Sequence, residues 1–305
     1  MPPSRLRRLL CRLTVVVPVA AVLAAPARAE ETPLFLGWSS QLPPGYAAPD
    51  AASADDCRAG RPSCVDKVAR RMEQQLDALG CSHLSPFAIT YLRVTQGVRQ
   101  AVGDPGAFAD PAFVAREDQV FADLYFQAYA NWSSGAGPVP EAWRIAFDAA
   151  QNERVGASTN VLLGINAHVM RDLPFMLYAV GLVAPDGTSR KPDHDGINPV
   201  LNAVQLPIVR EIARRLDPTM DDTNAPGTLD DTVLFQPLAA WREEAWRNAQ
   251  RLAAAPTPAD RDAVAQQIEA AAAAEARVLR VAGGYLPLTG AAKVRDAYCA
   301  THFAS

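Results

Sequence analysis

Apolar residues recur at three- and four-residue spacing over most of the chain beyond residue 60. Val65, Val68, Met72, Leu76 and Leu79 mark a first helix, with Gly80 as its stop. Ser85-Pro86 opens a second, carrying Phe87, Tyr91, Leu92, Thr95 and Val98. Asp110-Pro111 opens a third, with Phe113, Val114, Phe121, Leu124, Tyr125 and Ala128. A linker from Ser133 leads to Pro140 and a short helix bearing Trp143, Ile145 and Phe147. Ser158 is read as the cap of a long apolar helix through Asn160, Gly164, His168 and Asp172, which Pro174 should kink or end. After a loop from Pro185 to Pro192, Asp195 is read as starting a helix through Leu201, Val204, Ile208 and Ile212, bent or broken at Pro207. Thr228 with Asp231, and Thr257 with Asp260, have the spacing of helix-start caps for two further helices, the second reaching about Val281. The tail from Gly283 reads as irregular. No sustained period-two alternation occurs. The pattern predicts a mainly α protein: a single all-helical, bundle-like domain of about eight helices with irregular N- and C-terminal segments.

The first residues follow a different pattern. Arg5, Arg7, Arg8 and Arg12 precede an apolar run from Thr14 to Ala25, and Ala27-Arg28-Ala29 has the small-x-small form of a signal-peptidase site. Twelve residues make roughly 18 Å of helix, against about 30 Å of membrane hydrocarbon, so the run is too short for an anchor. Residues 1–29 are therefore read as a signal peptide, 30–56 as an extended Pro/Ala-rich leader and 57–305 as the helical domain of a secreted protein. Cleavage near Ala29 removes five of the 29 basic residues and no acid, leaving 24 against 33, a net charge of −9. Such a balance argues against nucleic acid as a partner and leaves no permanent membrane anchor; a small-molecule ligand is the expected partner.

Export bears on the cysteines. Cys57, Cys64, Cys81 and Cys299 remain after cleavage, and an even count in an oxidising compartment points to disulfides. Of the three possible connectivities we favour Cys57–Cys64, closing a short loop with Gly60 and Pro62, together with Cys81–Cys299, tying the tail to the body.

Candidate chemistry concentrates in two segments. His168 and Asp172 lie one helical turn apart in a helix otherwise apolar on nearly every face, a spacing that can offer imidazole nitrogen and carboxylate oxygen to one divalent ion. The run Asp193-His194-Asp195 follows 21 residues later. We assign His168, Asp172, His194, Asp193 and Asp118 as candidate metal ligands for zinc or manganese, and Asp195 and Arg171 as candidate catalytic groups. Asn166, Asn198 and Asn202 are their supporting shell. Asp118 shares a helical face with Phe121 and Tyr125 and should turn inward; His83 and His302 are read as surface residues. The G-x-S-x-G elbow, the P-loop, the dinucleotide fingerprint, H-E-x-x-H and C-x-x-C are all absent from the sequence.

Five stretches carry a resemblance: Thr90-Tyr91-Leu92-Arg93-Val94-Thr95; Val120-Phe121-Ala122 with Tyr125-Phe126; Trp143-Arg144-Ile145-Ala146-Phe147; Leu163-Gly164-Ile165-Asn166-Ala167-His168 with Arg171-Asp172-Leu173-Pro174; and Asp193-His194-Asp195 with Asn198. Together they resemble an uncharacterised, secreted actinobacterial family that carries only a domain-of-unknown-function label. That resemblance implies a shared fold and site and supplies no activity. The His168–Asp172 helix is also similar to a ligand helix of zinc-dependent phospholipase C and single-strand nucleases, and the His194-Asp195 doublet to HD-domain phosphohydrolases. Both fragments imply a divalent metal and phosphoester hydrolysis. Two expectations stand together: an exported metal-dependent hydrolase, and a secreted non-enzymatic protein whose polar clusters are core networks or a binding cleft.

Overall fold

The structure, a computed structural model, describes residues 50–220, 236–285 and 290–304. The signal peptide, most of the leader and the Thr228/Asp231 cap lie outside the described residues. The elements are α1 (Pro62–Leu79), α2 (Ser85–Val102), α3 (Pro111–Ser134), α4 (Glu141–Gln151), α5 (Ala157–Ile165), a π-helical segment (Asn166–Asp172), α6 (Leu173–Val180), α7 (Lys191–Arg215), a 3-10 turn (Pro218–Met220), α8 (Gln236–Ala254), α9 (Pro258–Ala282) and α10 (Ala291–His302). With α5, the π segment and α6 taken as one rod, nine helices stand among the described residues, one more than the periodicity predicts, and the fold is mainly α. None of these helices is long and apolar enough to cross a membrane.

Several helix boundaries follow from local chemistry. Asp110 caps α3 by accepting from the Phe113 amide at 2.9 Å, and Pro111 sits where a missing N–H costs nothing. Thr257 caps α9 through the Asp260 amide at 3.1 Å. Gly80 ends α1 at positive φ, conformationally cheap for glycine. Other boundaries depart from expectation. The rod starts after Gly156 rather than at a Ser158 cap. Helix α7 starts at Lys191, so Asp195 lies inside it and caps nothing, and the helix continues through both Pro199 and Pro207. The tail contains α10, whose alanines, Val294 and Tyr298 give too weak a stripe to declare a helix.

The rod from α5 to α6 is the centre of the bundle. Its π segment touches α3, α4, α8 and α9 as well as its own flanks, and all seven of its residues are buried. The wide turn has a visible cause. The Leu173 amide bonds to the His168 carbonyl five residues back, and the following Pro174 has no amide to continue an ordinary ladder. Alongside, α1 packs on α2 and α3, α2 on α5 and α7, and α4 on α9.

Both favoured disulfides are present. Cys57–Cys64, with Cα atoms 4.7 Å apart, fastens the entry turn to the start of α1. Cys81–Cys299, at 5.7 Å, fastens α10 to the α1–α2 connection. Cross-links of this kind stabilise by about 2–4 kcal/mol each.

Candidate functional site

One row of the rod organises the interior. Asn160, Gly164, His168 and Asp172 follow each other at one-turn spacing, and each meets a different need. Asn160 Oδ1 accepts from the Phe87 amide at 3.2 Å, in the first turn of α2. Gly164 lets the Phe87 ring lie directly on the rod; a Cβ there would collide with that ring. His168 stands in an aromatic cage, stacked on Phe121 with centroids 3.4 Å apart and flanked by Tyr91 at 4.5 Å. Asp172 is the hub of a buried network. Its Oδ2 accepts from His168 Nδ1 at 3.1 Å and from Trp143 Nε1 at 2.8 Å, while Oδ1 accepts from Arg171 Nη1 at 2.7 Å. Arg171 Nε then donates to Glu269 on α9 at 2.7 Å. Burial opposes the charge of Arg171, yet Glu269 and Asp172 hold its pKa above the ordinary value. Burial also pushes the Glu269 carboxyl up, with Arg171 opposing.

The proton on His168 follows from these contacts. Nδ1 faces a carboxylate and so carries the hydrogen, which leaves Nε2 as an acceptor. Burial holds the imidazole below its ordinary pKa, with Asp172 opposing, so the ring is neutral. Nε2 has no hydrogen-bond partner among the described residues.

Beside His168 lies a cavity of about 80 Å³ between α2, α3, the rod, α7 and α8. Its wall is mostly apolar, with Phe87, Val94, Val98, Ile165, Ile197 and Leu201 prominent. Six polar side chains interrupt it: Thr90, Tyr91, Glu117, Asp118, His168 and Arg242. Tyr91 Oη, Glu117 Oε2 and Asp118 Oδ2 are buried and, among the described residues, without a hydrogen-bond partner, like His168 Nε2. Burial raises the Asp118 pKa to about 8, the neighbouring Glu117 charge adding to it, so this acid is protonated at neutral pH.

Glu117 reaches the second cluster. Its Oε1 lies 3.4 Å from His194 Nδ1. Arg242 Nη2 donates to the His194 carbonyl at 2.5 Å and approaches Nδ1 at 3.3 Å, while Nε donates to Asn198 Oδ1 at 2.9 Å. The His194 Nε2–H points to the Arg242 carbonyl at 3.4 Å. Burial lowers the His194 pKa, and the Arg242 charge lowers it further.

The candidate residues therefore divide. His168 and Asp118 line the cavity; Asp172 orients His168 from behind; His194 sits behind Glu117 and Arg242. Asp193 is elsewhere: its carboxylate accepts from the Ala109 and Asp110 amides at 2.7 and 2.8 Å and anchors the approach to α3. Asp195 is a surface residue bonded to Lys191 at 2.5 Å. Arg171 is held in the core network, Asn166 donates to the Ala272 carbonyl at 2.9 Å, and Asn202 is exposed. The metal-ligand set named from the sequence is thus not gathered at one point. Among the described residues, the His/Cys/Asp/Glu group that could hold a metal is His83, Glu153 and Asp296. His83 is buried, not a surface residue, because Asp296 of α10 covers it.

Sequence reading did not single out Arg242 and Glu269. Both had a signal. Arg242 falls on the buried stripe Leu238, Ala245, Ala249 and Leu252, and Glu269 on the stripe Ala265, Ile268, Ala272 and Ala276. A charge inside such a stripe needs a buried partner. The sequence profile of DUF5995, a family of unknown function, matches residues 65–282. The chain belongs to DUF5995. The matched span holds the whole rod, the cavity wall and both polar clusters of this DUF5995 chain. No curated protein and no solved structure matches it.

Proposed function

We propose that the chain is an exported helical protein whose central cavity binds a small organic molecule with an apolar body and one amine or hydroxyl group. One observation carries this reading: an apolar cavity is lined by His168, Asp118, Glu117 and Tyr91, each with a buried polar atom that has no partner among the described residues. Native interiors rarely leave such atoms unpaired, because each costs about 1–3 kcal/mol. A ligand N–H or O–H would meet the His168 Nε2 acceptor and the carboxyl oxygens, with its apolar part against Phe87, Val94 and Ile165. An apolar cavity of roughly 150 Å³ accepts benzene; the space here suits a body of about four carbons. Export is supported by the Arg-rich start, the Ala27-Arg28-Ala29 pattern and the two disulfides.

Titration with n-butylamine, n-butanol and n-butyrate tests the binding reading. The amine and the alcohol should raise the melting temperature and shift the His168 ring-nitrogen resonances. Butyrate, which has no donor and shares the charge of Glu117, should do neither. Asp118→Leu should abolish the amine response. A His168 signal unmoved by both donors, or an Asp118→Leu variant that responds like the parent, overturns the proposal. Export is tested separately: the mass of protein from culture medium should correspond to an N-terminus at Glu30.

Acid–base chemistry at the same place is a second reading, favoured by the opposed states of two groups. Burial keeps His168 unprotonated and Asp118 protonated, the pattern of a paired base and acid. Thr90, a lining hydroxyl, already donates to the Pro86 carbonyl at 2.9 Å, so His168 would act on water or on the ligand itself.

A further inference from the structure

Away from the cavity, three chain segments bring ligand-type side chains together. His83 belongs to the α1–α2 connection, Glu153 follows α4, and Asp296 lies on α10. One donor atom from each lies within 4.8 Å of the other two. His83 Nε2 is 2.9 Å from Asp296 Oδ1. His83 is 8% exposed, so its imidazole is held in place rather than free in solvent. Beside the trio opens a cleft of about 390 Å³, bounded also by Tyr129 and Trp132.

We propose that His83, Glu153 and Asp296 form a binding site for a zinc-class divalent cation, with the fourth coordination position facing the cleft. One imidazole and two carboxylates are donors that zinc accepts, and three protein ligands plus an open position is a recurrent zinc arrangement. The spacing is close to what is needed. Bonds of about 2.1 Å in a tetrahedron set donor atoms roughly 3.4 Å apart, so the His83–Asp296 pair opens slightly and Glu153 closes in. Two of the ligands are fastened independently of any ion. Cys81–Cys299 ties the His83 segment to α10. Arg295 strengthens that tie through the Cys81 and Ser82 carbonyls. Arg295 also lies 3.1 Å from Asp296 Oδ1, the oxygen that faces His83, and so holds that carboxylate in place. Glu153 is exposed and adjusts to the ion. It is the one non-glycine at positive φ, 53°, among the described residues, in the tight turn that leads from α4 towards α5. Because the ligands come from three separate segments, the ion binds the folded chain and not the unfolded one, and must stabilise it. Asp296 lies beyond residues 65–282, so the site couples the DUF5995 core to the following helix of this chain.

Calorimetric titration of zinc into oxidised, chelator-treated protein tests the site. One ion per chain is expected. At zinc a hundredfold above its Kd, the melting temperature should rise by about 5 °C or more. Asp296→Asn and Glu153→Gln, both at accessible positions, should each weaken zinc at least tenfold while non-reducing peptide maps still show Cys81–Cys299. Asp118→Asn should bind zinc as the parent does, which separates this site from the cavity. No heat and no thermal shift up to millimolar zinc, or unchanged affinity in Asp296→Asn, overturns the proposal.

Discussion

The two sides of His168 present opposite solutions to the same problem. Towards α4 and α9, Nδ1 enters a network in which Asp172 satisfies His168, Trp143 and Arg171, and Arg171 is shared with Glu269. Towards α2 and α3, His168 lines a cavity together with Asp118, Glu117 and Tyr91, and each of the four has a buried polar atom without a partner among the described residues. Both sides are equally buried and both hold acids, so depth and composition do not distinguish them. What differs is pairing. The paired side positions the imidazole and fixes its tautomer; the unpaired side leaves Nε2 as an acceptor with no partner among the described residues.

The comparison is broken most directly at Asp172. Asp172→Ala removes the carboxylate to which Arg171 Nη1, Trp143 Nε1 and His168 Nδ1 all donate, while Arg171 keeps its bond to Glu269. Loss of one partner from a buried charged network costs about 3–5 kcal/mol. Chemical denaturation should read that loss. Destabilisation below about 1 kcal/mol would mean that the network is not the structural half.

The unpaired half should show the opposite sign. The Asp118 carboxyl ionises near 3.8 in the unfolded chain and near 8 in the folded one. A raised carboxyl pKa means that the folded chain holds its proton where the unfolded chain has lost it. Stability therefore falls as pH rises from about 4 to about 8, at up to about 1.4 kcal/mol per pH unit, and is level above that. Asp118→Asn should flatten this slope and be more stable than the parent at pH 7. Denaturation midpoints across that range measure it; a variant that keeps the parental slope would show that another group titrates.

The smallest effect belongs to the polar cluster that the fold placed at the surface. Asp195→Ala removes a half-exposed pair with Lys191, and such pairs are worth about 0–1 kcal/mol. Butylamine binding should be unchanged. A large loss of binding in Asp195→Ala would join that residue to the cavity and blur the division drawn here.

Much of this arrangement follows from the sequence alone. Three- and four-residue periodicity declares most of the helices, and the caps at Asp110 and Thr257 form as local chemistry requires, since the groups involved lie within one turn. The one-turn spacing of His168 and Asp172 is equally local, and it survives even the π-helical winding. The Cys57–Cys64 pairing is legible in the short loop between the two cysteines, and it leaves Cys81 to pair with Cys299. Pairing across the bundle is a different matter. Asp193, His194 and Asp195 are consecutive, yet one anchors a loop, one is buried behind Glu117 and Arg242, and one meets solvent. A helix turns about 100° per residue, so neighbours in sequence face different surroundings, and which surroundings depends on segments 48 to 84 residues away. The same holds for His83, buried by a helix 213 residues further on. The sequence by itself determined most of the helices and the row Asn160, Gly164, His168, Asp172. Only the tertiary structure decided which polar atoms in that row are paired, because the partners from outside the rod, the Phe87 amide of α2 and the Trp143 indole of α4, meet it only when the bundle closes.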